Sequence, residues 1–198
     1  MSTKRFVIAA AVVFAAVGTG PTPGTAGELA GVSLPDQVMV EGRTLVLNGM
    51  GLREATILRL HVYVAGLYLE TRSGDASQIM IPGGTKRLVL RFVRDVGRSS
   101  LVDAWNDGFA KAIGTELTGL QDRLATLNAW MVDVKRGDTL VFTQIPGRGV
   151  VVEVKGQAKG TIAGADFSRA LWAIWLGDRP PNEQLKVGLL GGEGRARQ

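Results

Sequence analysis

The sequence contains no cysteine and a single histidine, His61, among its 198 residues. Without cysteine the chain has no disulfide framework, iron–sulfur cluster, thiolate zinc site or cysteine nucleophile. A Ser-His-Asp triad or a histidine-rich metal site would have to be built around His61 alone, and we predict neither. The carboxylates are scattered singly, so no pair suggests glycoside hydrolysis. We therefore predict no metal site and no cofactor.

A basic stripe is also missing, although the formal net charge of +5 first suggests a nucleic-acid partner. Residues 1–27 hold two of the 23 basic residues and none of the 18 acidic ones, so the remaining chain carries +3. Two more of the arginines fall in the glycine-rich segment 192–198, which we expect to be a flexible tail. An almost neutral body is not typical of nucleic-acid binding, and we predict no nucleic-acid partner.

Residues 1–27 have the three parts of a Sec-type secretory signal peptide. A basic start precedes an apolar stretch from Phe6 to Val17, and small residues around Ala26 offer a cleavage site. The apolar stretch is shorter than the roughly 20 residues that a membrane-spanning helix needs, which disfavours an anchor. We therefore expect export to the periplasm or the cell exterior, cleavage near Ala26, and no transmembrane span in the mature protein.

The remaining length predicts one domain over residues 28–191, and alternating apolar and polar residues predict strands within it. Between Ala55 and Leu69 the alternation puts Leu60, Val62 and Val64 on one face and His61 and Tyr63 on the other. Further strands are predicted at 38–40, 44–47, 87–93, 139–145 and 150–154, and a last one, after a turn at 155–157, through 160–162.

Helical spacing of apolar residues appears in the middle of the chain and again near its end. Helices are predicted over 99–113, 117–131, 166–176 and 182–190. Too few of them separate the strands to make a parallel sheet. The order of strands, helical pair, strands and helices predicts an α+β fold with a mostly antiparallel sheet.

Arg53 and Tyr63 are the first candidate ligand-binding residues. They are ten positions apart, so on one unbroken strand both side chains emerge on the same face, unless a bulge intervenes. A guanidinium fork and a phenol on one face can hold a carboxylate or a polarised carbonyl. The alternative is that Arg53 is a solvated loop residue and Tyr63 a half-buried core residue.

Two further residues join them as candidates. The alternation places His61 on the face of Tyr63, although a lone strand histidine is more often a surface residue than a ligand. Trp105 belongs to the apolar stripe of the helix 99–113, where it serves as a core residue or as the wall of a ligand cleft. The glycine-rich segment before Arg53 lacks the spacing of a dinucleotide loop or a P-loop, so it indicates no phosphate site.

Six segments, taken in their order and spacing, resemble the bacterial chalcone isomerase-like proteins. The resemblance covers about residues 38–191. It implies an open-faced β-sandwich of the chalcone isomerase type, in which helices pack on one face of a large antiparallel sheet and a ligand cleft lies between them. The segments are Leu47-Asn-Gly-Met-Gly-Leu-Arg53, Val62-Tyr-Val-Ala-Gly-Leu-Tyr-Leu69, Phe92-Val-Arg-Asp95, Gly137-Asp138, Gly164-x-Asp-Phe-x-x-Ala-Leu171 and Ile174-Trp-Leu-Gly177.

The resemblance also allows the polar residues of the plant enzymes to be compared with those of this sequence. Those enzymes use a strand-start arginine and a threonine to stabilise an enolate while the flavonoid ring closes, and Arg53 and Tyr63 stand at these positions. The plant tyrosine, lysine and late-helix hydroxyl residue correspond to Ser100 or Leu101, to Asp103 or Ala104, and to Ile174. The arginine persists while most of the other polar groups do not, which disfavours chalcone cyclisation.

Non-catalytic relatives that resemble fatty-acid-binding proteins use an arginine with a tyrosine to hold a carboxylate. We therefore expect an exported, non-catalytic protein that binds a fatty acid or similar amphipathic ligand through Arg53, Tyr63, His61 and Trp105. One alternative is an isomerase or intramolecular lyase acting on an enone-like substrate, with Arg53 and Tyr63 stabilising an enolate oxygen. A second is an envelope interaction or assembly factor, whose cleft Trp105, Phe109 or Trp172 would fill.

Overall fold

The computed structural model describes residues 25–55 and 58–192, and the predicted signal peptide up to residue 24 and the end of the tail lie outside them. The strands are β1 Thr25–Leu29, β2 Val32–Pro35, β3 Gln37–Val40, β4 Arg43–Ala55, β5 Leu60–Leu69, β6 Lys86–Phe92, β7 Thr139–Ile145, β8 Gly149–Val154 and β9 Gln157–Ile162. The helices are α1 Ala76–Met80, α2 Arg98–Ile113, α3 Gln121–Ala129, α4 Ala165–Leu176 and α5 Glu183–Leu189, with a 3-10 helix over Gly114–Leu120.

Strands β3 to β9 form one seven-stranded sheet in which every strand pairs antiparallel with its neighbours in sequence. The predicted α+β class and antiparallel sheet are confirmed. Two of the connections are two-residue turns with positive φ at both positions, Glu41-Gly42 and Lys155-Gly156. Such turns match the twist of a hairpin, which is why these boundaries could be predicted from sequence.

The two faces of the sheet are covered differently. Helices α2 to α5 pack on one face, over a core that includes Leu67, Leu88 and Phe142. The hairpin β1–β2 covers the β4–β5 part of the other face, where Val32 and Leu34 join a second buried cluster. We did not predict this hairpin, because strands of four or five residues are too short to show a reliable alternation.

The glycine-rich segment before Arg53 lies inside β4 and serves helix packing. A Cβ atom on Gly49 would collide with the carbonyl oxygen of Gly188, and one on Gly51 with that of Leu185. Gly188 itself faces the backbone of Met50. Because Gly49 and Gly51 of β4 and Gly188 of α5 carry no side chain, the backbone of α5 lies directly against β4. This contact fixes the position of the residues just before α5.

The helices begin at other residues than predicted, and α3 differs most: it begins at Gln121 rather than 117, because a 3-10 helix occupies Gly114–Leu120. Helix α2 begins at Arg98 rather than Ser99, because the Oδ1 atom of Asp133 accepts a hydrogen bond from the Arg98 amide at 2.7 Å. Helix α4 is capped by Gly164, whereas Asp166 instead pairs with Arg123 at 2.7 Å. In the part of the chain that the structure describes, no helix is long and apolar enough to cross a membrane, and no cluster of potential metal ligands occurs.

Candidate functional site

A cleft of about 530 Å³ opens between the helix-covered face of the sheet and helices α2 and α4. This volume lies within the range of small-molecule sites. Its sheet side is lined by residues from the end of β4, the start of β5 and the end of β6. Its apolar lining includes Val62, Leu90, Phe92, Leu101, Ala104, Trp105, Ile174, Trp175, Pro180 and Pro181.

Arg53 and Tyr63 both line this cleft and lie directly opposite each other on β4 and β5. They share a face, as predicted, but for a different reason. The chain turns back between them, so they are a cross-strand pair rather than two positions on one strand. Directly opposed side chains in a sheet stand about 5 Å apart at Cβ, which is close enough to contact the same ligand group.

His61 lies outside the cleft lining. The register shifts after the Arg53–Tyr63 pair, so that Glu54 lies opposite His61 and Val62 is left unpaired in a bulge. The bulge sends His61 outward, where 52% of its side chain is exposed and its Nε2 lies 3.5 Å from the Glu54 Oε1. The predicted placement of His61 on the face of Tyr63 is therefore wrong, because the bulge breaks the alternation.

Tyr63 is held by Trp175 of α4, whose indole N–H donates to the phenol oxygen at 3.0 Å. Burial raises the pKa of Tyr63 and outweighs the opposite effects of the Trp175 hydrogen bond and the Arg53 charge. The side chain is therefore a neutral phenol near neutral pH. Because the indole already occupies one lone pair, the phenol hydrogen remains to be donated, and no described residue accepts it.

Arg53 is fixed on one side and free to bind on the other. Its Nη1 donates to the carbonyl of Glu54 and, at 3.2 Å, to that of Pro181. The side-chain amide of Asn182 joins the segment before α5 to β4. It donates a hydrogen bond to the Leu52 carbonyl at 3.1 Å and accepts one from the backbone N–H of Glu54 at 3.4 Å. Within residues 25–55 and 58–192, no carboxylate lies within 4 Å of the Arg53 guanidinium, and its Nε and Nη2 donate to no protein acceptor.

Trp105 was predicted to be either a core residue or part of the wall of a ligand cleft, and it forms part of the cleft wall. It is buried and packs edge-to-face on Phe142 at 5.3 Å and on Trp175 at 5.8 Å. Phe109 and Trp172 are fully buried in the core and do not line the cleft. The three side chains that could have filled the cleft therefore leave it open.

Residues 26–191 match the chalcone isomerase-like family. The chain belongs to this family. The fold of a fatty-acid binding protein of Arabidopsis thaliana is similar, with a TM-score of 0.65 over 85% of this chain and 96% of that one. The two sequences are 18% identical, so the likeness is one of fold. No curated protein matches the chain.

The helix side of the cleft is mostly apolar. Leu101, Ala104 and Ile174 line it, and these are among the residues that the resemblance aligns with polar side chains of the plant enzymes. Ser100 is the hydroxyl that remains there, and Asp103 is exposed outside the lining. Arg53 and Tyr63 are the polar residues on the sheet side of this chalcone isomerase-like cleft, whereas its other charged lining residues lie on α2 and in the segments that follow β6 and α4.

Three residues of the site were missed in the sequence. They are Trp175 of α4 and the two residues just before α5, Pro181 and Asn182. The only local signal for the last two was the Pro-Pro-Asn run itself, which marks a helix start. Their contacts with Arg53 and β4 join residues about 130 positions apart, so the sequence pattern could not predict them.

Proposed function

We propose that this chalcone isomerase-like protein is an exported, non-catalytic binding protein for a fatty acid or a similar amphipathic carboxylate. The observation that carries the proposal is the direct pairing of Arg53 with Tyr63 in the wall of an apolar cleft. Both side chains keep hydrogen-bond donors that no described residue uses. Arg53 and Tyr63 are the proposed head-group site, and Trp105 is part of the proposed tail site.

A carboxylate fits the head-group site better than a neutral group does. The guanidinium supplies a permanent positive charge and N–H groups in a planar fork, and charge-assisted hydrogen bonds are about twice as strong as neutral ones. Tyr63 adds a neutral O–H donor that does not repel the anion. Because the Pro181 carbonyl already fixes Arg53, little side-chain freedom remains to be lost on binding.

An acyl chain fits the tail site. Leu101, Trp105 and Ile174 face Leu90 and Phe92 across the cleft. Burial of each methylene group is worth about 0.8 kcal/mol, so a chain that fills the cleft adds affinity through its length. We expect the affinity for fatty acids to rise with chain length until the cleft is full.

The hydrogen-bond donors of Arg53 and Tyr63 would also suit an enolate oxygen, so an isomerase is the alternative function. Two carboxylates line the cleft, Asp95 and Asp107. Asp95 is held by Lys135 at 2.9 Å and by the Arg136 amide at 2.9 Å, which lowers its pKa and makes it a poor general base. Chalcone turnover that disappears in Tyr63→Phe would support the isomerase and contradict the non-catalytic proposal.

The binding proposal is tested with protein purified from its natural host, by native mass spectrometry and by titration with fatty acids of increasing length. We expect a copurifying carboxylate in wild type. Arg53→Ala should weaken fatty-acid affinity about 100-fold and Arg53→Lys about tenfold, because lysine keeps the charge but loses the fork.

The matched control is Arg43→Ala, an exposed arginine at the opposite end of β4 that pairs with Glu70 at 3.3 Å. Its fatty-acid affinity should stay within about twofold of wild type, because the substitution of an exposed residue far from the cleft has little effect. An absence of any copurifying ligand, together with thermal shifts that fatty acids leave unchanged in every variant, would contradict the proposal.

Export is proposed from the pattern of residues 1–27 and needs its own test. Expression of the full chain in a Gram-negative host, followed by N-terminal sequencing of the periplasmic fraction, should give a mature protein that starts near Gly27. Recovery of the uncleaved chain from the cytoplasm alone would contradict export without affecting the binding proposal.

A further inference from the structure

The tip of the β4–β5 hairpin exposes aliphatic side chains beside the cleft. Leu58 is 79% exposed and Leu60 is 40% exposed. Ala55 and Leu60, which pair at the end of the hairpin, both line the cleft. Single exposed aliphatic residues are common on proteins, but two that lie close together in sequence at a cleft mouth form a surface suited to a contact.

Positive charges surround the same mouth. Arg59 lies on the hairpin tip between the two leucines, and Arg94, Lys111 and Arg179 are exposed residues of the cleft lining. The acidic residues of the lining are Asp95 and Asp107. Asp95 is compensated by Lys135 at 2.9 Å, which leaves the mouth with an excess of positive charge.

Glu54 is the acidic residue nearest to the tip along the chain. Its carboxylate lies 3.5 Å from the His61 Nε2 on the outer side of the hairpin, away from the cleft lining. The surface around Leu58 therefore combines exposed aliphatic groups with a net positive rim. This combination is typical of proteins that bind anionic lipid surfaces peripherally, because apolar insertion and attraction to phosphate groups add together.

We propose that the β4–β5 tip docks the cleft mouth on an anionic lipid bilayer. Leu58 enters the boundary between head groups and acyl chains, while Arg59, Arg94 and Arg179 lie against lipid phosphates. The docking rests on these surface residues and does not require that the cleft hold a carboxylate. It would place the opening of the cleft at the source of poorly soluble amphipathic ligands.

The absence of cysteine allows a clean single-label test. Leu58→Cys and Met39→Cys are each labelled with a nitrobenzoxadiazole dye, whose fluorescence rises and shifts to the blue in an apolar environment. Met39 is 67% exposed and lies beside the Arg43 end of β4, roughly 40 Å from the tip at about 3.3 Å per residue.

Vesicles of phosphatidylglycerol and phosphatidylcholine in equal parts should raise the fluorescence of the label at position 58 several-fold and leave the label at position 39 unchanged. Vesicles of phosphatidylcholine alone should bind at least about tenfold more weakly, because the charge attraction is lost. An equal response of the two labels, or equal binding to both vesicle types, would overturn the proposal.

Unlabelled variants separate docking from ligand binding. In cosedimentation with the anionic vesicles, Leu58→Asp should weaken binding at least about tenfold and Arg59→Gln about threefold, while Met39→Asp stays within about twofold. Leu58→Asp should keep wild-type affinity for fatty acids in vesicle-free buffer, so failure of docking and failure of the proposed function are distinguishable. A signal from the label at position 58 that rises with protein concentration without vesicles would indicate self-association and overturn the proposal.

Discussion

Two polar clusters lie beneath α4, one toward each end of the central strands, and one tryptophan of the helix anchors each. Trp172 donates its indole N–H to the Gln144 Oε1 at 2.7 Å, and Trp175, three residues later, donates to the Tyr63 hydroxyl at 3.0 Å. We call the first the closed cluster, made of Lys86, Gln144, Ser168 and Trp172. We call the second the open pair, made of Arg53 and Tyr63.

In the closed cluster the protein itself satisfies every polar side chain. The Gln144 Oε1 also accepts from the Ser168 hydroxyl, and the Gln144 amide donates to the Gly84 carbonyl at 3.2 Å. Lys86 donates to the carbonyls of Ile79 and Ile81 and lies 5.4 Å from the centre of the Trp172 ring. None of its four residues lines the cleft, and we assign its hydrogen bonds to the fold.

The open pair is equally anchored but keeps unused donors at a cleft. Both sites combine a cation, a hydrogen-bonding side chain and a tryptophan of α4. They differ in whether the surrounding protein uses up the donors. Burial of polar groups therefore does not distinguish the two sites, and unused hydrogen-bonding capacity beside an open volume is the reason why we propose the open pair as the binding site.

The largest expected effect is on stability, at the closed cluster. Gln144→Ala leaves the Ser168 hydroxyl, the Trp172 N–H and the Gly84 carbonyl without their partner, and it should lower the free energy of unfolding by about 3 kcal/mol. Urea denaturation measures this loss. Fatty-acid affinity of the folded variant should stay as in wild type.

The control is Gln157→Ala, an exposed glutamine at the start of β9, which should change stability by less than about 0.5 kcal/mol. If the two glutamine variants lost equal stability, or if Gln144→Ala abolished ligand binding in the folded protein, the separation of the two clusters would be wrong.

A smaller effect depends on pH. Burial lowers the pKa of Lys86 to about 8, below its ordinary 10.5. Between these values the unfolded chain binds more protons than the folded one, so the free energy of unfolding should rise with pH. The measured quantity is the free energy of unfolding of wild type minus that of Lys86→Met, because the contributions of all other titrating groups cancel in this difference. The difference should rise by about 2 kcal/mol between about pH 7.5 and 9.5.

Denaturant titrations of both proteins across that range measure the difference. A difference that stays constant, or that shrinks as the pH rises, would show that Lys86 is not an uncompensated buried cation. Fatty-acid affinity should follow no such trend, because Lys86 lies outside the open pair.

The smallest effect distinguishes the two tyrosines of the chain. Tyr63→Phe removes one neutral donor from the open pair and should weaken fatty-acid affinity about tenfold, with a stability loss of about 1 kcal/mol from the unpaired Trp175 N–H. Tyr68→Phe removes the hydrogen bond to the Pro35 carbonyl at 3.0 Å on the other face and should cost similar stability with unchanged affinity. Calorimetric titration and thermal unfolding of both variants check this, and equal affinity losses would contradict it.

The sequence predicted those parts of the molecule that local chemistry determines. Turns such as Glu41-Gly42 set the strand order, and helical spacing indicated the stripe that contains Trp105. The register of β5 was not predictable, because the bulge at Val62 depends on pairing with both neighbouring strands, including the Val93 amide that donates to the Val62 carbonyl at 3.0 Å.

The candidate ligand site could likewise be predicted from the sequence only in part. Arg53 and Tyr63 could be singled out because their residue types are the ones that hold anions, and because the resemblance aligns them with ligand-contacting positions of the plant enzymes. Trp175 reaches Tyr63 across 112 positions of sequence, so its role depends on how α4 packs on the sheet. The cleft itself is a property of that packing and has no local sequence pattern.

The most direct test compares a fatty acid with its alcohol. We predict that wild type binds palmitate about 100-fold more tightly than hexadecanol, since both fill the tail site but only the acid pairs with Arg53. In Arg53→Ala the preference should fall to within about threefold, while the affinity for hexadecanol stays nearly constant. Equal affinity for the two ligands in wild type, or a preference that survives Arg53→Ala, would contradict the assignment of Arg53 and Tyr63 as a carboxylate site.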